Sequence, residues 1–334
     1  MNTDSVPPQP FKNRKAGLVI FGILTIVGGC ICALFALLAA VAPMLAAKGP
    51  NPPPTSPNVL PAVAMYCAMA IGFVWLGVGS ITSRRWARAL LAVISWTLVV
   101  FGISGIGMFA LMAPQFKQTM AAAQPPNQPP LSDSMQTGMI VGMFCFFVLF
   151  GVVGPLIWAL FYSGRNVKAT CEVLDPVPRW TDRCPLPVLA ISIWLLFGAV
   201  TMVGMAAFYP VAPFFGLLIS GNMARAYHLC LAVIWLYAAW ALYRLDLRGW
   251  WVVFLAMTAS TLSALITFSR HDVTEMYRLM RYSAQQIAVI QKVGFGSHMM
   301  LWSTMLWTVP AIAYLLYIRK FFTRSADTAV VGLA

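Results

Sequence analysis

Apolar residues gather in eight uncharged blocks, at about 16–44, 59–80, 89–113, 138–162, 186–209, 226–243, 249–268 and 299–318, and the charges fall between them. A helix needs ~20 consecutive apolar residues to cross the hydrocarbon of a bilayer, and each block is near or above that length. The pattern predicts eight transmembrane helices. It is least regular over 186–224, where Pro210, Pro213 and the apolar run Phe214–Ile219 suggest a short re-entrant or interfacial piece.

Composition agrees with the pattern. Hydrophobic residues make up 60% of the chain, charged residues 9%, and mean hydropathy is +0.79. A soluble domain is about one quarter charged, so this chain has too few polar side chains to cover a water-facing surface. The first block follows Lys12, Arg14 and Lys15, and its Val27-Gly28-Gly29-Cys30 loosely resembles a lipoprotein cleavage site. The apolar stretch runs on to Met44, past the ~7–15 residues of a signal-peptide core. A retained span is therefore the expectation, and cleavage the alternative.

The net charge of +13 invites a nucleic-acid reading, but its distribution argues otherwise. With a cytoplasmic N-terminus, the inside segments hold Lys12, Arg14, Lys15, Arg84, Arg85, Arg88, Arg165, Lys168, Arg179, Arg183, Arg244, Arg248, Arg319, Lys320 and Arg324, 15 basic residues against seven on the other side. This is the positive-inside bias. It predicts both termini in the cytoplasm, membrane lipid as the partner of the basic ends, and no nucleic acid.

The chain also carries a faint echo of itself. Pro155-Leu156-Ile157-Trp158-Ala159-Leu160-Phe161-Tyr162 recurs as Pro310-Ala311-Ile312-Ala313-Tyr314-Leu315-Leu316-Tyr317, and basic residues follow both copies. The turn Ser83-Arg84-Arg85-Trp86-Ala87-Arg88 is echoed by Asp246-Leu247-Arg248-Gly249-Trp250-Trp251, with Arg84 on Arg248 and Trp86 on Trp250. These matches predict two tandem four-span units, 1–162 and 188–334, joined by a cytoplasmic linker at 163–187. An even number of spans per unit makes the repeats parallel, unlike the inverted repeats of many transporters.

After the third span of each unit an extracytoplasmic element is expected. Residues 271–293 read as one amphipathic helix, with Asp272 and Glu275 as an approximate capping box and Gly294 and Gly296 ending it. Met112, Phe116 and Met120 form a shorter counterpart before the Pro-rich Gln124–Pro130. A role on the bilayer surface or in capping the bundle is expected of both, with a ligand lid as the alternative. Lys48–Asn58, with its prolines, reads as an extracytoplasmic loop.

Candidate chemistry is sparse. None of the nine acids and none of the seven lysines falls inside a block, and His228, His271 and His298 stand near its edges. Proton relays and many ion-coupling sites use ionisable groups inside the bilayer, and an intramembrane metalloprotease needs a motif such as H-E-x-x-H. No catalytic, cofactor-binding or metal-binding residue is therefore assigned. His228, beside Tyr227, is expected to be solvated, with the lining of an extracytoplasmic pocket as the alternative. The seven cysteines read as plain thiols: Cys171 and Cys184 share the linker, but two cysteines without a nearby histidine do not make a zinc site.

The candidate contact residues are basic and aromatic. In the linker the charges are expected to pair with one another with Trp180 anchored at the interface, and a docking patch of Arg179, Trp180 and Arg183 for a partner or anionic lipid is the alternative. Arg84, Arg85, Trp86, Arg248 and Trp250 in the two turns suit headgroup contact. Pro155 and Pro310 each remove one helical hydrogen bond and mark possible hinges. Gly138 and Gly142 form a G-x-x-x-G expected to pack within the bundle, with a homo-oligomer contact as the alternative.

The four-span unit, with its Arg-Arg-Trp-Ala-Arg turn at 84–88 and its Pro…Tyr fourth helix followed by basic residues, resembles bacterial inner-membrane proteins whose activities are poorly characterised. The resemblance implies an all-α, multi-span fold in that membrane and carries no functional residue over. The expected function is a non-catalytic subunit or scaffold of a membrane complex. The alternative is an uncoupled transporter or channel for a neutral or lipid-like solute.

Overall fold

The computed structural model describes residues 11–47, 59–122, 132–292 and 296–322. The Pro-rich segments 48–58 and 124–130, together with Gly294 and Arg324, lie outside them. Among the described residues eight helices are long and apolar enough to cross a membrane, one for each apolar block.

In chain order the first three are α1 (Lys15–Ala47), α2 (Leu60–Ile81) and α3 (Arg85–Ala122). The fourth long apolar segment is composite: α4 (Asp133–Val148), a π-helical turn at Leu149–Val153, and α5 (Gly154–Ser163). The short α6 (Arg165–Leu174) and a 3₁₀ turn at Trp180–Asp182 follow. Then come α7 (Leu186–Phe208), strands β1 (Val211–Phe214) and β2 (Leu217–Ser220), α8 (Gly221–Tyr243) and α9 (Leu247–Arg270). The chain continues through α10 (Val273–Leu279) and α11 (Ala284–Lys292) to α12 (Ser297–Ile318). Large apolar side chains such as Leu37, Ile71, Val233 and Leu255 are exposed along these helices, as a surface solvated by lipid requires and one solvated by water does not.

Packing groups the chain into two compact units, Met1–Trp96 with Leu156–Arg183, and Thr97–Pro155 with Cys184–Ala334. In the first unit α1 and α2 approach through glycine: a Cβ on Gly22 would lie 2.9 Å from the Gly77 carbonyl oxygen, and one on Gly77 2.7 Å from that of Gly22. Small residues let backbones come this close. The Ser80 hydroxyl donates to the Leu18 carbonyl (2.9 Å), so the buried Tyr162 hydroxyl donates to Ser80 (2.7 Å) and ties α5 to the pair.

The second unit has a core of Val188, Leu195, Leu242, Trp250, Val253, Leu315 and Ile318. Trp250 Nε1 donates to the Leu315 carbonyl (2.7 Å), and the Tyr314 hydroxyl donates to that of Pro187 (2.8 Å). Tyr162 and Tyr317, aligned in the sequence echo, differ in setting: Tyr162 is fully buried and Tyr317 is 51% exposed. Gly102 of α3 meets the Gly151 backbone, whereas Gly138 and Gly142 have open space where a side chain would go. The expected G-x-x-x-G packing within the bundle is not formed among the described residues.

Three local features that the sequence left unspecified or read differently have physical causes. The irregular stretch after α7 is an antiparallel hairpin with Val211 opposite Ser220 and Phe214 opposite Leu217. Phe215 (φ 43°) and Gly216 (φ 92°) make its two-residue turn of the primed type. The expected single helix 271–293 is broken: Arg281 takes a left-handed φ of 64° and α11 restarts on a reciprocal capping box. In that box Ser283 N donates to Gln286 Oε1 (2.8 Å) and Gln286 N to Ser283 Oγ (3.2 Å). Residues 112–120 belong to the continuous α3 rather than to a separate helix.

The two prolines also differ. Pro155 follows the π-helical turn, which absorbs the register change, whereas Pro310 lies inside the unbroken α12.

Candidate functional site

The only dense cluster of charge among the described residues is built where α6 and the 3₁₀ turn meet the α2–α3 turn of the first unit. Its centre is Asp175, whose side chain is 3% exposed. α6 ends in the run Asp175-Pro176-Val177-Pro178, since neither proline can extend a helix, and the Asp175 carboxylate turns inward.

Three arginines predicted as contact residues converge on it. Arg179 makes a two-pronged pair, Nε to Oδ2 at 3.2 Å and Nη2 to Oδ1 at 2.8 Å. Arg84 Nη1 stands 3.7 Å from Oδ1. The backbone N–H of Arg85 donates to Oδ2 (3.3 Å), so Asp175 caps α3 from 90 positions away. The Arg85 side chain donates to the Asp175 and Glu172 carbonyls, at 2.6 and 3.2 Å, and pairs with Asp182 at 3.8 Å. Asp182 accepts in turn from Arg179 N (2.9 Å). The Arg179 fork holds the Asp175 carboxyl below its ordinary range. Ser83 Oγ and Thr181 Oγ1, in the same region, are buried without a hydrogen-bond partner.

The other predicted contact residues are placed differently. Trp86 stacks on Trp75 at 4.2 Å between ring centroids. Trp180 is 45% exposed beside exposed Val173, Leu174 and Val177, and Arg183 is exposed. In the second unit Arg248 is exposed, but Trp250 is 1% exposed and stacks on Phe254 at 5.3 Å, a core residue where an interfacial one was expected. Arg244 over Trp240 (4.5 Å) and Arg319 over Trp251 (5.8 Å) supply the basic–aromatic pairs suited to a headgroup layer.

The linker thiols of Cys171 and Cys184 are buried and unpaired, and burial pushes both up to about 11. At neutral pH they are protonated and poor nucleophiles. His228, expected to be solvated, is instead 5% exposed, with Nδ1 2.8 Å from the Ala224 carbonyl. Among the described residues no three His, Cys, Asp or Glu side chains come together in a way that could hold a metal ion.

The arrangement can therefore hold and present a surface. Its Asp175 and Asp182 carboxylates are engaged by arginines, and the Glu172 carboxylate by Lys168. No family model, curated protein or solved structure matches this chain.

Proposed function

We propose that this chain is a non-catalytic subunit or scaffold of a membrane complex, inserted through eight helices in a bacterial inner membrane with both termini cytoplasmic. The observation that carries this reading is the Asp175 cluster. Arg84, Arg85 and Arg179 fasten the linker to the start of α3, making it a fixed platform with Trp180, Val177, Leu174 and Arg183 on its outer side. A platform built around a buried Asp175, with an apolar and basic outer edge, suits a protein partner at the membrane surface. The excess of basic residues on this side supports its cytoplasmic orientation.

The tandem four-helix arrangement is part of the same proposal. Two turns support it: Ser83 (φ 56°) and Leu245 (φ 59°) occupy the same left-handed position. The bonds Arg84 N to Gly79 O and Asp246 N to Ala241 O close both turns alike. That register pairs Arg88 with Trp250, two residues away from the register suggested by aligning Arg84 with Arg248.

Purification of the full chain from its native membrane in mild detergent, followed by mass spectrometry of the intact complex, tests the function. A protein partner at fixed stoichiometry is expected, lost on Trp180→Ala with Arg183→Ala while the chain stays folded. A monodisperse chain carrying one repeated small molecule would sink the proposal and favour an uncoupled transporter or channel.

A further inference from the structure

The hairpin between α7 and α8 does not loop away from the helices. Its tip is fastened to the last turns of α9: Phe215 N donates to Ser263 Oγ and Gly216 N to Thr267 Oγ1, both at 2.9 Å. Ser263 Oγ donates to the Pro213 carbonyl (3.1 Å), and His271 Nε2 lies 3.1 Å from the Gly216 carbonyl. Four backbone groups at the hairpin tip thus meet side chains of α9 or of His271 just beyond its end. Pro213, within β1, brings no N–H that would need a partner.

The depth of this contact follows from the helix. At ~1.5 Å per residue, the 24 residues of α9 span ~36 Å, against ~30 Å of hydrocarbon. With α9 centred, Thr267 and Ser263 sit ~2 and ~8 Å inside the hydrocarbon boundary. At the depth of Ser263 water is scarce, and irregular backbone persists there only where protein groups satisfy it. A hairpin in water would need no such arrangement.

The outward side chains fit the same environment. Phe214, Phe215 and Leu217 are 41, 51 and 62% exposed. Phe215 also occupies a left-handed turn position that favours asparagine or glycine, and there it places an aromatic ring at the tip.

We infer that the hairpin Val211–Ser220 is a re-entrant element whose tip dips into the bilayer, with Phe214, Phe215 and Leu217 packed against lipid acyl chains. The inference rests on the proposed membrane insertion and adds a lipid-facing surface that is not a spanning helix.

The test uses the full chain in phosphatidylcholine–phosphatidylglycerol liposomes, with a fluorinated phenylalanine inserted by codon suppression at position 215 or, separately, at 217. Fluorine relaxation is compared under dissolved oxygen, which concentrates in the bilayer, and under a water-soluble nickel chelate. The same probe at Val233, an exposed position within α8, and at Lys168 gives membrane and water references. Relaxation several-fold stronger with oxygen than with nickel at 215 and 217, as at Val233, is expected. Nickel relaxation matching Lys168 while Val233 stays protected would overturn the hairpin inference alone. Protection from both agents would overturn it in favour of a protein contact. Nickel access at Val233 itself would overturn the membrane insertion beneath it.

Discussion

Gly79 faces Ala87 across the α2–α3 turn so closely that a Cβ on the glycine would lie 2.6 Å from the alanine's own. In the α8–α9 turn the pair is reversed: a Cβ on Gly249 would lie 2.7 Å from that of Ala241. In the register shared by the two turns, glycine has changed sides while the spacing of the helices is kept.

Gly79→Ala and Gly249→Ala should each destabilise the protein by about 1–3 kcal/mol, as overpacking generally does. Adding Ala87→Gly to the first and Ala241→Gly to the second should recover part of the loss. Recovery is limited because the added methyl also meets the Trp86 ring in one turn and the Leu242 backbone in the other. Thermal unfolding in detergent, followed by size-exclusion chromatography, reads both effects.

Asp175→Ala should free the linker, because it removes a helix cap and the common partner of Arg84 and Arg179. A loss of about 1–3 kcal/mol is expected, with new proteolysis between residues 175 and 184. The folded carboxyl ionises below its ordinary ~4. Its contribution is therefore complete above about pH 4 and is lost as pH falls through the lower folded value. Limited proteolysis with an acid-active protease across that range should show the linker opening in the native chain, and opening at all pH values in the variant.

His271 sits between two acceptors, Glu275 Oε2 at 2.9 Å and the Gly216 carbonyl at 3.1 Å. An imidazole donates to both only when protonated. The Glu275 hydrogen bond is the main cause of its raised pKa, and the neighbouring Arg270 opposes it. The clamp on the hairpin is complete below the ordinary ~6.5 and is lost as pH rises through the higher folded value. After correction for intrinsic exchange rates, amide exchange in residues 211–220 should accelerate as pH rises through that value. His271→Ala should give fast exchange throughout.

The eight helices were legible because bilayer-spanning composition leaves few alternatives, whereas Arg84 and Arg85 in one turn and Arg179 in the linker were legible only as separate basic sites. The pairing of Asp175 with Arg179, four residues on, follows the expected pairing of the linker's own charges, but its reach to Arg84 and Arg85, about 90 residues away, leaves no local pattern. The hairpin escaped because its turn is Phe-Gly rather than Asn-Gly, and its anchors Ser263 and Thr267 belong to a distant helix. The break before α11 had a readable signal in the S-x-x-Q at Ser283–Gln286, hidden within an apparently continuous apolar period. Trp250 shows the limit of composition: an aromatic at a helix start reads as interfacial, and only packing against Leu315 and Phe254 makes it core.

The proposed architecture requires eight crossings with both termini on the basic side. Truncated fusions to green fluorescent protein and to alkaline phosphatase, ended in turn after residues 84, 183, 246 and 334 and after residues 123 and 283, test it most directly. Fluorescence without phosphatase activity is expected at the first four points, and phosphatase activity without fluorescence at the other two. Phosphatase activity after residue 183, where the Asp175 platform ends, would contradict the cytoplasmic platform and the partner-binding role built on it.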